Sequence, residues 1–201
     1  MDGRVAVLAS GSGTNLQALL DDPAVREHVA LVVSDRAGAG ALERARARGV
    51  EAVHLDPATF ADRAAHDWAL AELLKDRQID VVVLAGYMRL VGAELLRAYP
   101  DRVLNVHPAL LPSFPGTHAV ADALAYRVKV TGVTVHLVDE GIDTGPVILQ
   151  EAIEILDEDD GSSLEPRVHS VEHRLLPAAV RALLEGRLVR EGRHVRIQEA
   201  G

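Results

Sequence analysis

Asn105 and His107 stand two residues apart at the end of the apolar run Arg102-Val-Leu-Asn-Val-His-Pro108. On a β-strand, side chains two apart point to the same side, so an amide donor and an imidazole would face one spot. Pro108 cannot continue a central strand ladder. Both residues therefore belong at the strand's C-terminal end, where open parallel α/β sheets bind their ligands. An amide and an imidazole aimed at one point can stabilise a developing oxyanion. The blander alternative is two polar residues closing a strand beside a turn. A source of carboxylate lies downstream, in His136-Leu-Val-Asp-Glu-Gly-Ile-Asp-Thr-Gly-Pro146, where Asp139, Glu140 and Asp143 are candidates for acid/base work. A carboxylate near an imidazole favours its charged form and can relay protons. Asp143 is best framed, between Gly141 and Gly145-Pro146. Composition alone reads these acids as solvated loop residues and His136, which alternates with apolar neighbours, as a satisfied core histidine.

A second chemical feature is the turn Leu8-Ala-Ser-Gly11-Ser-Gly13-Thr14-Asn15-Leu16. Glycines let the backbone turn tightly and approach a ligand, and a helix N-terminus offers free N–H groups to an anion. Thr14 and Asn15 could add side-chain donors. The pattern is neither a dinucleotide fingerprint, because Leu16 stands where a glycine would be needed, nor a P-loop, because no Gly-Lys-Ser/Thr follows. Asp35, at the end of the second predicted strand, keeps a nucleotide-dependent oxidoreductase among the alternatives; a turn that binds nothing is another. The histidines show no metal-ligand spacing such as His-Glu-x-x-His, and no metal is expected.

These residues need a scaffold that sets them along one sheet edge. Short apolar runs at 4–9, 28–34, 51–55, 80–85 and 103–107 read as strands. Helical segments at 15–20, 39–48, 59–77 and 92–98 alternate with them. Such alternation predicts a parallel, doubly wound sheet, because parallel strands need crossover connections. The pattern then changes. Pro108, Pro112 and Pro115 with Gly116 mark a rigid loop, 131–138 alternates as a strand, and 146–155 reads as another, antiparallel one. A last helix at 164–184 is expected to be irregular at Pro166 and Pro177, and 188–197 reads as a hairpin turning near Gly192. The expected architecture is one α/β domain over 1–201. Its mostly parallel Rossmann-like sheet ends in an antiparallel part and a terminal hairpin. A phosphate-binding βαβ half covers 1–107 and a catalytic-loop half 108–201.

Composition narrows the function classes. With 201 residues, 48% of them hydrophobic, the chain can bury a substantial core. The absence of cysteine excludes disulfides, thiol nucleophiles and Cys-ligated metals. The net charge of −9 argues against nucleic acid as a partner. No apolar stretch is long enough to span a bilayer, and no signal peptide is evident, so a cytoplasmic enzyme acting on small molecules is expected.

Four segments together resemble one known family. Gly11-Ser-Gly-Thr-Asn-Leu-Gln-Ala-Leu19, Val83-Leu-Ala-Gly-Tyr-Met-Arg-Leu90, Leu104-Asn-Val-His-Pro-Ala-Leu-Leu-Pro-Ser-Phe-Pro-Gly116 and Thr131 to Gln150 are similar to the phosphoribosylglycinamide formyltransferases. The resemblance runs in order over nearly the whole chain. It implies formyl transfer from 10-formyltetrahydrofolate, as co-substrate, to the amine of glycinamide ribonucleotide in purine synthesis. The same resemblance implies that Gly13, Thr14 and Asn15 hold the substrate phosphate, reached also by Arg63, and that Glu172 contacts the glycinamide end. Met88, Arg89, Leu90 and Val91 would line the folate site, with Leu84, Leu95 and Leu104 as apolar walls. Backbone of Asp139, Glu140, Gly141 and Ile142 would bond the pterin edge, and Asn105 would serve both folate and catalysis. Asn105, His107 and Asp143 are the implied catalytic set. A cis Leu111–Pro112 bond and a monomer or homodimer are also implied, with no nucleic acid or membrane as partner. Two relatives differ in length: methionyl-tRNA formyltransferase adds a C-terminal RNA-binding domain, and formyltetrahydrofolate deformylase an N-terminal regulatory one. The alternatives to be separated are an acceptor-independent deformylase and a non-catalytic nucleotide-binding module.

Overall fold

A computed structural model describes residues 3–199. Strands and helices alternate through the first half: β1 (Val5–Leu8), α1 (Thr14–Asp21), β2 (Val29–Ser34), α2 (Gly40–Ala47), β3 (Glu51–His54), α3 (Arg63–Asp76), β4 (Val81–Leu84), α4 (Ala93–Ala98) and β5 (Val103–His107). The second half adds α5 (Ala119–Tyr126), β6 (Val130–Leu137), β7 (Val147–Glu154), α6 (Gly161–Leu184), β8 (Leu188–Glu191) and β9 (His194–Ile197). The fold is the expected α/β one. The order β3-β2-β1-β4-β5-β6-β7 is mostly parallel with an antiparallel end, and β8 and β9 form a separate hairpin. Two compact units divide the chain, Met1–Leu104 and Asn105–Gly201. The division falls inside β5.

In the first unit, β1 and β4 are buried along their whole length. A parallel strand covered on both faces reads as an unbroken apolar run, which is why Val-Ala-Val-Leu and Val-Val-Val-Leu were legible without alternation. Helix α3 starts at Arg63, four residues later than the apolar spacing predicts. Asp62 caps it, its carboxylate accepting the Ala65 N–H, and Pro57–Thr59 forms a separate 3-10 turn. A side-chain oxygen at that position satisfies an otherwise orphaned donor and fixes the start.

In the second unit, β6 and β7 pair antiparallel from Val130 opposite Glu154 to His136 opposite Val147. Helix α5 occupies a stretch to which the sequence pattern assigns no element; the proline cluster before it masked Ala119-Val-Ala-Asp-Ala-Leu-Ala-Tyr, half of it alanine. One prediction is corrected here. Helix α6 runs unbroken over 24 residues through Pro166 and Pro177. Its start is fixed by a capping box between Asp160 and Ser163. Its buried stripe, including Leu164, Val168, Val171, Leu176, Val180 and Leu184, outweighs the hydrogen bonds that the prolines remove. The Leu111–Pro112 bond is cis, as expected.

Candidate active site

The glycine-rich turn of the first unit has the shape of an anion cradle. Gly13 stands before α1 with φ +75, a left-handed conformation that disfavours side chains. A Cβ there would also sit 2.6 Å from the Ala41 Cα, so glycine is required twice over. The turn's carbonyls are already engaged: Gly11 O accepts the Ala41 N–H (3.2 Å) and Ser12 O accepts from Arg44 Nε (2.9 Å). Its N–H groups are not used by the helix, since Gln17, donating to Gly13 O, makes the first helical bond. Ser10, which sequence reasoning passed over, ties this turn to the next one. It donates its N–H to Gly86 O (3.0 Å) and accepts the Met88 N–H on Oγ (2.9 Å).

The segment expected to line the folate site leaves Met88 and Leu90 51% and 52% exposed. Large apolar side chains left half exposed side by side suit a ligand-lining surface. Arg63 lies against this segment: its Nη2 donates to Leu90 O (3.2 Å), and its Nε bonds buried Asp67 (3.4 Å). Asp35 approaches the same region, where burial pushes the Tyr87 hydroxyl well above its ordinary value, with the Asp35 carboxylate adding to the shift.

The second unit brings the three predicted catalytic residues together. Asn105 and His107 project from β5 with Val106 between them. Asp143 lies on the loop after β6 and has a positive φ of 53. His107 Nδ1 lies 3.4 Å from Asp143 Oδ2, and Asn105 Nδ2 lies 3.4 Å from Asp143 Oδ1. The Gly116 N–H donates to Asp143 Oδ2 (2.8 Å), and His107 Nε2 meets the Phe114 carbonyl (2.8 Å). Both ring nitrogens of His107 thus face acceptor oxygens. Burial raises the Asp143 pKa, but the neighbouring His136, the Gly116 N–H and His107 outweigh it, and the carboxyl titrates below the ordinary aspartate value. Asp143 stays a carboxylate at neutral pH.

Polar pins, Thr134 buried and Gln150 at the surface, hold the surrounding loops. Thr134 Oγ1 donates to Ala109 O (2.6 Å) and accepts the Leu111 N–H (3.1 Å), while Gln150 Nε2 donates to Leu111 O (3.0 Å). In the loop after β6, Asp139 Oδ1 accepts from the Gly141 N–H (3.1 Å) and the Thr144 hydroxyl (2.6 Å), so this acid organises the loop. Glu140 and Ile142 are exposed beside it. A Cβ on Gly145 would come within 1.7 Å of Leu137 O, so only glycine lets the chain return this closely. From the hairpin, Arg193 Nη2 donates to Thr144 O (2.9 Å). Glu172, buried on α6, receives His169 Nδ1 at 2.9 Å, and His169 stacks on His173 at 6.0 Å.

Sequence reasoning missed Phe114, Gly116 and Thr134, and took His136 only as core. Phe114 and Gly116 act through backbone atoms, which carry no residue-type signal. His136 is indeed 1% exposed, yet its Nε2 lies 3.1 Å from Asn105 Nδ2.

Residues 3–180 match the formyl transferase family. Over 203 residues the chain is 47% identical to phosphoribosylglycinamide formyltransferase of Mycobacterium tuberculosis, covering 96% of this chain and 94% of that one. Over 184 residues it is 42% identical to the Bacillus subtilis protein of the same name, covering 90% and 94%. The crystal structure of glycinamide ribonucleotide transformylase 1 from Symbiobacterium toebii matches with a TM-score of 0.94 at 54% identity, over 98% of this chain and 94% of that one. The chain therefore belongs to the formyl transferases, a family of enzymes. Within that family its likeness over nearly the full length is to the phosphoribosylglycinamide formyltransferases.

Proposed function

We propose that the protein transfers a formyl group from 10-formyltetrahydrofolate to the amine of glycinamide ribonucleotide, a step of purine biosynthesis. The observation that carries this reading is the meeting of Asn105, His107 and Asp143 within 3.4 Å contacts at the end of β5. The acceptor amine attacks the formyl carbon, and the carbonyl oxygen becomes a tetrahedral oxyanion. Asn105 donates an N–H to that oxygen. His107, keeping Nδ1 toward Asp143 and exchanging the Phe114 carbonyl at Nε2 for the substrate, donates a second hydrogen bond and passes a proton to the leaving folate nitrogen. The proton lost by the attacking amine goes to Asp143. The C–N bond to folate breaks as the oxyanion collapses, leaving tetrahydrofolate and the acceptor with its amine converted to a formamide. No covalent enzyme intermediate is needed.

Gly13, Thr14 and Asn15 serve the acceptor's phosphate, and Glu172 its glycinamide end. Met88, Arg89, Leu90, Val91 and the backbone of 139–142 serve the folate. Arg63 is assigned to the phosphate, but its bond to Leu90 O favours a second reading, in which it meets the acidic tail of the folate. The substitution Arg63→Ala separates the two by raising KM for one substrate only. The whole reading is tested by following loss of the formyl group spectrophotometrically with and without glycinamide ribonucleotide. Turnover that depends on the ribonucleotide is expected. Equal turnover without it would make the protein a deformylase, and none in either condition would leave a binding module.

A further inference from the structure

We propose that His136 is a positioning residue for formyl transfer, setting which face of the Asn105 amide meets the reacting oxygen. This inference rests on the oxyanion role given to Asn105 above. An asparagine amide carries two N–H donors on one side and a carbonyl oxygen on the other. Its two orientations have nearly the same shape, and the choice follows from its partners. Asn105 is useful to an oxyanion in only one of them, because the other would aim its own oxygen at the developing negative charge.

The partners decide the orientation. His136 Nδ1 lies 2.9 Å from the Leu137 carbonyl, which can only accept, so Nδ1 carries the hydrogen. A second proton, on Nε2, would make the ring a donor toward Asp143, the contact that helps to lower the pKa of that carboxyl; in the neutral ring Nε2 is a bare acceptor. It lies 3.1 Å from Asn105 Nδ2, within hydrogen-bond range, and 3.7 Å from Asp143 Oδ1, outside it. The neutral ring therefore takes one N–H from Asn105, and Nδ2 must face it. The second N–H is left pointing toward the Asp143 side, at 3.4 Å from Oδ1, where a closer or more charged oxygen would take it. The imidazole cannot shift to relieve this demand. His136 is 1% exposed, and Gly145 brings backbone so close that even a Cβ there would lie 3.3 Å from Nδ1.

Two substitutions isolate the Nε2 acceptor. Gln at 136 can place an amide oxygen near the Nε2 position. Asn at 136 reaches only as far as Nδ1. In His136→Asn, kcat should fall by about tenfold or more, toward the hundredfold expected for loss of an oxyanion donor, while KM for both substrates changes by less than about threefold. In His136→Gln, most of kcat should return. Combined with Asn105→Ala, the His136→Asn change should cost little further, because both act through one amide. The ring's 15N shifts, read without substrates at the pH of the assay, should show a protonated Nδ1 and a bare Nε2. Wild-type kcat in His136→Asn, equal losses in both single variants, or full additivity with Asn105→Ala would each overturn the proposal. So would a ring protonated at Nε2. Wild-type turnover by Asn105→Ala would overturn the oxyanion reading and with it the kinetic role of His136, while the 15N shifts would still decide how the amide is held.

Discussion

Asn105 is the residue on which the chemistry is most exposed to test. Asn105→Ala and His107→Ala should each lower kcat by about a hundredfold or more, with circular dichroism and melting temperature showing the fold intact. That the two share one strand face was legible from their spacing, whereas a joint chemical role for them came only with the resemblance. The Phe114 carbonyl and Gly116 N–H that meet His107 and Asp143 were not, because every residue carries those groups. A second test concerns α6. The hydrogen bond to Glu172 raises the His169 pKa above 6.5, whereas burial lowers that of His173 below it. Stability from the His169 pair is fully present below the ordinary value and is lost as pH rises through the raised one; that linked to His173 is present above the ordinary value and is lost as pH falls through the lowered one. Imidazole NMR titration should therefore find the two midpoints on opposite sides of about 6.5. A melting deficit in His169→Leu should shrink as pH rises.

At the scale of elements, the sequence was most informative where burial is two-sided and least where local punctuation competed with packing. The runs forming β1, β4 and β5 were plain because parallel strands bury both faces. Helix α5 was hidden behind three prolines, and α6 ran through two more because its apolar stripe is long. The elements also specify their own weak points. Asp160→Ala removes a reciprocal cap and should lower the melting temperature with kcat unchanged. Gly145→Ala should do worse, since a methyl group cannot coexist with Leu137 O at 1.7 Å. The loop must move, and the expected result is a folded protein with strongly reduced kcat. Normal turnover by Gly145→Ala would show that the Asp143 loop tolerates displacement.

At the scale of the molecule, the α/β class was legible from 201 residues, and the resemblance pointed to Asn105, His107 and Asp143, which lie together, while the loop that presents Asp143 was legible only as glycines and acids. Its order comes from Asp139 within and Arg193 outside. Arg193→Ala should speed amide exchange across 139–145 and lower kcat/KM by roughly threefold to tenfold, the scale of one partly exposed hydrogen bond, with no change in global stability. The terminal hairpin supplies no reacting atom in the proposed scheme, yet through one guanidinium it touches the carbonyl of Thr144, next to Asp143. Substitutions in the turn between β8 and β9, where Arg193 stands, would in this scheme act as a dial on rate. An organism, or an engineer, could retune the enzyme for a different temperature there and leave every group that handles substrate as it is.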